Sequence, residues 1–69
     1  MRNDIYLKHL GNKIKELRKS KGMYGEQFAE MCNIDYSNYC RFENGQKDIR
    51  ICSLKNICEH LGINMTDIL

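Results

Sequence analysis

Three observations predict an all-α fold for this sequence. Apolar residues recur at spacings of three and four along four separate stretches, the mark of helices that bury one face. No stretch of useful length alternates apolar with polar residues, so no strand is expected. Each periodic stretch runs into Gly or Asn, the residues that most readily take the left-handed backbone that stops a helix.

Leu7, Leu10, Ile14 and Leu17 form the stripe of a first helix from about Ile5 to Lys21, closed by Gly22, with Lys19 and Lys21 at the negative end of its dipole. Phe28, Ala29 and Cys32 share one face of a short second helix over 25–32. Asn33 then supplies a turn and Asp35 an N-cap. A third helix over 36–44 turns Tyr39 and Phe42 inward and stops at Asn44-Gly45. After a polar loop, Ile51, Leu54, Ile57, Cys58 and Leu61 define a fourth helix ending at Gly62. Asn64 and Asp67 have the spacing of a capping box opening a last turn to Leu69. The expected architecture is a compact domain of four to five helices spanning residues 1–69.

Composition narrows the function classes. A chain of 69 residues makes one small domain, burying about 60% of its unfolded surface. No apolar run approaches the roughly 18 residues that span a bilayer, and residues 1–10 lack a secretory h-region, so a cytoplasmic protein is expected. Cys32, Cys40, Cys52 and Cys58 match neither zinc-knuckle nor disulfide-scaffold spacing. Cys32 and Cys58 read as core residues; Cys40 and Cys52 should be more exposed. His9 and His60 stand alone, so no metal is expected. Glycine-rich phosphate loops, nucleophile elbows, HExxH and paired carboxylates on one helix face are absent, which argues against an enzyme and its cofactors. The net charge of +2 is unevenly spread. Residues 1–21 carry +5, residues 22–45 carry −3, and the remainder balances.

Helices 25–32 and 36–44 are joined by only Asn33-Ile34-Asp35, so they must cross steeply, and Ala29 is small enough to permit it. With Tyr39 and Phe42 inward, Tyr36, Ser37, Cys40 and Arg41 make one outward stripe. Such a stripe suits a DNA major groove. Arg41 can pair with guanine, Tyr36 and Ser37 offer hydroxyls or apolar contact, and Cys40 can touch a thymine methyl.

The sequence resembles the lambda-repressor-like, Cro-type (XRE) helix-turn-helix family from Leu10 to Leu69. The resemblance rests on Ile14-Lys-Glu-Leu-Arg18, Lys21-Gly-Met23, Glu26-Gln-Phe-Ala-Glu30, Arg41-Phe-Glu-Asn-Gly45, Leu54 through Leu61-Gly-Ile63, and Asp67-Ile-Leu69. It implies that Arg18 pairs with Glu43, and that Tyr36, Ser37 and Arg41 occupy base-reading positions. It further implies that Asn44 and the amides from Gly45 onward meet phosphate, with Asn38 and Gln46 or Lys47 near the DNA backbone. Two departures stand out. Tyr24-Gly25 replaces the family's usual Ser or Thr and Gln at the start of helix 2, and Glu26 and Asp35 set negative charge close to the expected path of phosphate.

The expectation is a sequence-specific transcriptional regulator, a repressor, from a bacterium or phage. It binds a palindromic operator on double-stranded DNA as a homodimer that forms in solution or only on DNA. Its pairing surface is expected at Ile63–Leu69, where Met65, Ile68 and Leu69 exceed what a tiny core needs. No small-molecule ligand is expected. The alternative is a repressor-like module that binds a protein, with the acidic middle segment as its support.

Overall fold

The computed structural model describes residues 4–68; Arg2 of the basic segment and Leu69 of the closing turn lie outside the described residues. Helices run over Asp4–Ser20 (α1), Gly25–Met31 (α2), Tyr36–Glu43 (α3) and Ile51–Leu61 (α4), followed by a 3₁₀ turn at Met65–Asp67. Among the described residues there is no strand. The limits fall within one residue of the expected ones, because all four helices close by one device. The residue after the last turn is left-handed, at Gly22, Asn33, Gly45 and Gly62. The next amide bonds a carbonyl five residues back: Met23 to Arg18, Ile34 to Ala29, Gln46 to Arg41 and Ile63 to Cys58. Asn33 reaches φ 59°. It makes the turn without glycine, as its short polar side chain allows.

The predicted stripes meet in one core. Ile14, Phe28, Ala29, Tyr39, Phe42, Leu54, Ile57 and Leu61 are buried together, and Cys32 and Cys58 fill gaps among them as small hydrophobes. The Phe28 ring stands edge-on to Tyr39, with centroids 5.7 Å apart, and to His60 at 6.5 Å. Asn56 on α4 donates to the Cys32 carbonyl at 2.8 Å, tying α4 to the end of α2. Lys13 reaches across to donate to the Asp67 carbonyl at 3.0 Å. One expectation fails here. Ile68, assigned to a dimer surface, is 3% exposed and belongs to the core, since the capping box of Asn64 and Asp67 folds the closing turn back onto α4. Ile63 and Met65 pack against that core half-buried.

The backbone of α1 lies close against the end of α3. A Cβ on Gly11 would lie 2.5 Å from the Phe42 carbonyl oxygen and 2.6 Å from that of Glu43. Gly45, left-handed and buried, is pressed in the same way against the backbone and stem of Lys8. Here glycine is a matter of space: a methyl at position 11 meets backbone, which cannot swing aside. Gly11→Ala should therefore destabilise by about 1–3 kcal/mol, although alanine favours helices. Gly25 opens α2 with its prospective Cβ at ordinary contact distances, the nearest being 3.5 Å. Gly25→Ala should stabilise by about 0.4–1 kcal/mol. Urea midpoints of the two variants, moving in opposite directions, check both.

Candidate nucleic-acid interface

The α2–α3 pair is set by its turn. Asp35 caps α3 by accepting from the Asn38 amide at 3.3 Å, while Asn33 and Ile34 close α2. Ile34 is half-buried in the angle, and Ala29 is buried where the helices approach. Tyr39 and Phe42 are almost fully buried, and that fixes which side of α3 faces outward.

Rotation of α3 is locked by an ionic cluster. Arg18 is 7% exposed and donates through Nε to Glu43 at 2.8 Å and through Nη2 to the other carboxylate oxygen at 3.3 Å. Its Nη1 donates to the Met23 carbonyl at 2.6 Å. Tyr39 donates its hydroxyl to Glu43 at 2.5 Å. The pair is thus bidentate and every partner is satisfied, the condition under which a buried ion pair holds geometry. The hydrogen bond to Glu43 raises the Arg18 pKa. Burial, and then the bond to Glu43, pushes the Tyr39 phenol up. The Tyr39–Glu43 bond carries no signal in sequence beyond its one-turn spacing.

The outward stripe presents Tyr36, Ser37 and Arg41 exposed, with Cys40 half-buried between them. Cys40 is less open than expected, and its closeness to the Tyr36 phenol is the main cause raising the Tyr36 pKa. Arg41 is exposed and has no ion-pair partner among the described residues. Asn38 is half-buried and accepts from the Lys47 ammonium at 2.8 Å, so the loop after α3 is drawn against the flank of the stripe. Asn44, Gln46 and Lys47 are exposed beside it. Gly45 leaves the set of backbone contacts: it is buried against Lys8 and its amide donates to Phe42 at 3.0 Å. The amides of Asn44 and Gln46 are likewise spent on Cys40 and Arg41, so a phosphate contact there falls to side chains.

Around this face the charge is uneven. Glu26, Glu30 and Asp35 line an open groove of about 390 Å³ between α2 and α3, with Ala29 and Ile34 among its walls. On the other flank of α3 a groove of about 300 Å³ has Phe42 and Ile49 in its walls beside Asp35, Lys47, Asp48 and Arg50. No group of three His, Cys, Asp or Glu among the described residues is placed to hold a metal. His60 instead meets the Asn56 carbonyl at 2.9 Å and the Cys32 sulfur at 3.8 Å. No helix of the described residues is long and apolar enough to cross a membrane.

A short, capped helix with its inner stripe buried and its outer stripe open, braced by a second helix across a three-residue turn, defines a helix-turn-helix DNA-binding regulator. Residues 14–68 match the helix-turn-helix family, and the chain belongs to it. It is 36% identical over 67 residues to the control protein C.MunI from a Mycoplasma species, covering 96% of this chain and 89% of that protein. The restriction-modification controller protein C.AhdI from Aeromonas hydrophila superposes with a TM-score of 0.86 at 25% identity, over 91% of this chain and 96% of that one. The clp gene regulator ClgR from Corynebacterium glutamicum shares the fold, with a TM-score of 0.85 at 24% identity over 91% of this chain and 81% of that one.

Tyr39→Phe should cost about 0.5–1.5 kcal/mol. Tyr39, and Cys32 with its thiol pushed up to about 11 by burial, hold their protons longer folded than unfolded. Stability should therefore be intact below about pH 9 and fall as pH rises beyond it, less steeply in Tyr39→Phe. Denaturant midpoints at pH 7 and 10 for the two proteins measure this. In a thiol-labelling time course at pH 8, Cys52 should react first and Cys40 more slowly, with Cys32 and Cys58 labelled only on unfolding.

Proposed function

We propose that this chain is a sequence-specific controller of transcription, acting as a repressor in a bacterial cytoplasm and placing α3 in the major groove of a palindromic operator as a homodimer. One observation carries the reading. Tyr36, Ser37 and Arg41 are exposed together on the face of α3 opposite the buried Tyr39 and Phe42, with Asn38 and Lys47 joined along their edge. In this reading Arg41 pairs with a guanine, Tyr36, Ser37 and Cys40 meet neighbouring base edges, and Asn38, Asn44, Gln46 and Lys47 lie along the phosphates. Two copies sit about one helical turn apart, matching the symmetry of the site. The likeness to a control protein and to a restriction-modification controller supports a role in governing a restriction-modification system.

A second reading, a module that binds a protein, is favoured by the acidic groove of Glu26, Glu30 and Asp35 beside the same face. An acidic groove attracts a basic partner, and that association weakens with salt as phosphate contacts do, so enrichment of a DNA sequence, not salt dependence, separates the two readings.

Selection from a random duplex pool should enrich a palindrome, with affinity falling as salt rises. Arg41→Ala should cost about 1–3 kcal/mol and relax the preference at one base pair, whereas Lys47→Ala should weaken binding evenly across sequences and lower the salt slope by about 1. No enrichment from the pool would remove specific DNA recognition and leave the protein-binding reading.

A further inference from the structure

Gly25 has no backbone reason to be glycine. Its φ is not left-handed, unlike those of Gly22, Gly45 and Gly62, and glycine at a helix start forfeits the propensity that alanine would supply. What surrounds it differs from every other glycine in the chain. The point where its Cβ would stand lies 3.5 Å from the Tyr36 ring at Cε1, 3.8 Å from the Arg18 guanidinium carbon and 3.8 Å from the Tyr39 ring at Cε2. Tyr36 is 46% exposed, so half of its surface is taken up by the protein. The space a side chain at position 25 would enter therefore lies directly beside the Tyr36 ring.

We propose that Gly25 sets base preference from outside the groove, by leaving the space in which the Tyr36 ring lies and so fixing the direction in which its phenol is presented to DNA. This rests on the reading of Tyr36 as a base-contacting residue. The distances define the effect. An alanine methyl just touches the ring at ordinary contact distance, whereas a second atom beyond Cβ directed toward α3 enters the volume the ring fills. Gly25 is then a positioning residue: it acts through Tyr36 and has no contact of its own to make. A branched side chain at position 25 turns the tyrosine toward another rotamer, moving its hydroxyl by several ångströms relative to a fixed α3. The Tyr36 ring is the nearest of the groups around position 25, ahead of Arg18 and Tyr39, and Arg41 is not among them, so the change centres on the base positions that Tyr36 faces.

The test is a set of base-preference profiles, selected from a random duplex pool at one salt concentration, for the wild type, Gly25→Ala, Gly25→Val, Tyr36→Ala and the double variant Gly25→Val/Tyr36→Ala, each with its melting temperature. Tyr36→Ala should alter preference at specific positions. Gly25→Ala should keep the wild-type profile, and Gly25→Val should lose roughly five- to tenfold discrimination at the same positions as Tyr36→Ala. The double variant should match Tyr36→Ala alone. Should Gly25→Val fail to fold, Gly25→Ser, with one atom past Cβ, makes the same comparison. A wild-type profile in Gly25→Val beside an altered one in Tyr36→Ala overturns the inference, as does a Gly25→Val change that persists without Tyr36. An unchanged profile in Tyr36→Ala instead overturns the role given to Tyr36 in base reading.

Discussion

The meeting of α1 with the end of α3 is the constraint on which the rest of the structure depends. Gly11 lets the α1 backbone lie against the Phe42 and Glu43 carbonyls, and Gly45 lets the chain after α3 pass over Lys8. At that separation Arg18, two turns along α1 from Gly11, reaches Glu43 with both arms of its guanidinium. Spread the helices by the width of one methyl and the bidentate geometry is lost, while Arg18 stays largely enclosed with its charge unmatched. The short recognition helix is thus held from its C-terminal end by an ionic clamp and from its N-terminal end by the Asp35 cap and the Ile34 turn.

Most of the fold was legible in the sequence because its punctuation is explicit. Every helix stops at a residue that tolerates left-handed backbone, and the stripe of each helix names its buried face. The outward set of Tyr36, Ser37 and Arg41 followed from placing Tyr39 and Phe42 inward. What was not legible depends on distances between elements. Gly11 in mid-helix reads as a weakness until the Phe42 carbonyl is found beside it. Gly45 was taken for a phosphate contact because the motif alone does not show that its amide and its space are already occupied. Ile68 passed for a surface residue because the stripe of α4 does not reveal that the closing turn doubles back onto it.

The charge pattern also reads differently once the pairs are placed. Of the four acidic residues in the middle segment, Glu43 is consumed by Arg18, and Asp35 spends one carboxylate oxygen on its own helix. Lys13 and Lys47 are likewise engaged with the Asp67 carbonyl and with Asn38. Among the described residues only the Arg18–Glu43 pair cancels charge, one of each sign, so residues 1–21 are less basic and residues 22–45 less acidic than their composition suggests, while Lys13, Lys47 and Asp35 keep their charges. An interface of this kind gains less from counterion release than a strongly basic one, so a larger share of its affinity must come from directed contacts to bases and phosphates. Directed contacts in turn demand a recognition helix whose rotation is fixed.

That demand gives a reason for an ion pair where apolar packing would serve stability as well. A buried Arg–Glu pair in a domain this small adds little net free energy over a hydrophobic exchange of similar volume, since removing both charges from water offsets much of their attraction. It does impose direction. Leu and Ile pack acceptably at several rotations, but a planar fork meeting a carboxylate along two parallel bonds, with Tyr39 bonded to that same carboxylate, accepts one. On a helix of eight residues a slip of one position is a rotation of about 100°, enough to carry Arg41 off the outward face and bring Phe42 onto it. The cluster behind α3 therefore decides which side chains of that helix face outward, although Arg18 and Tyr39 are themselves buried.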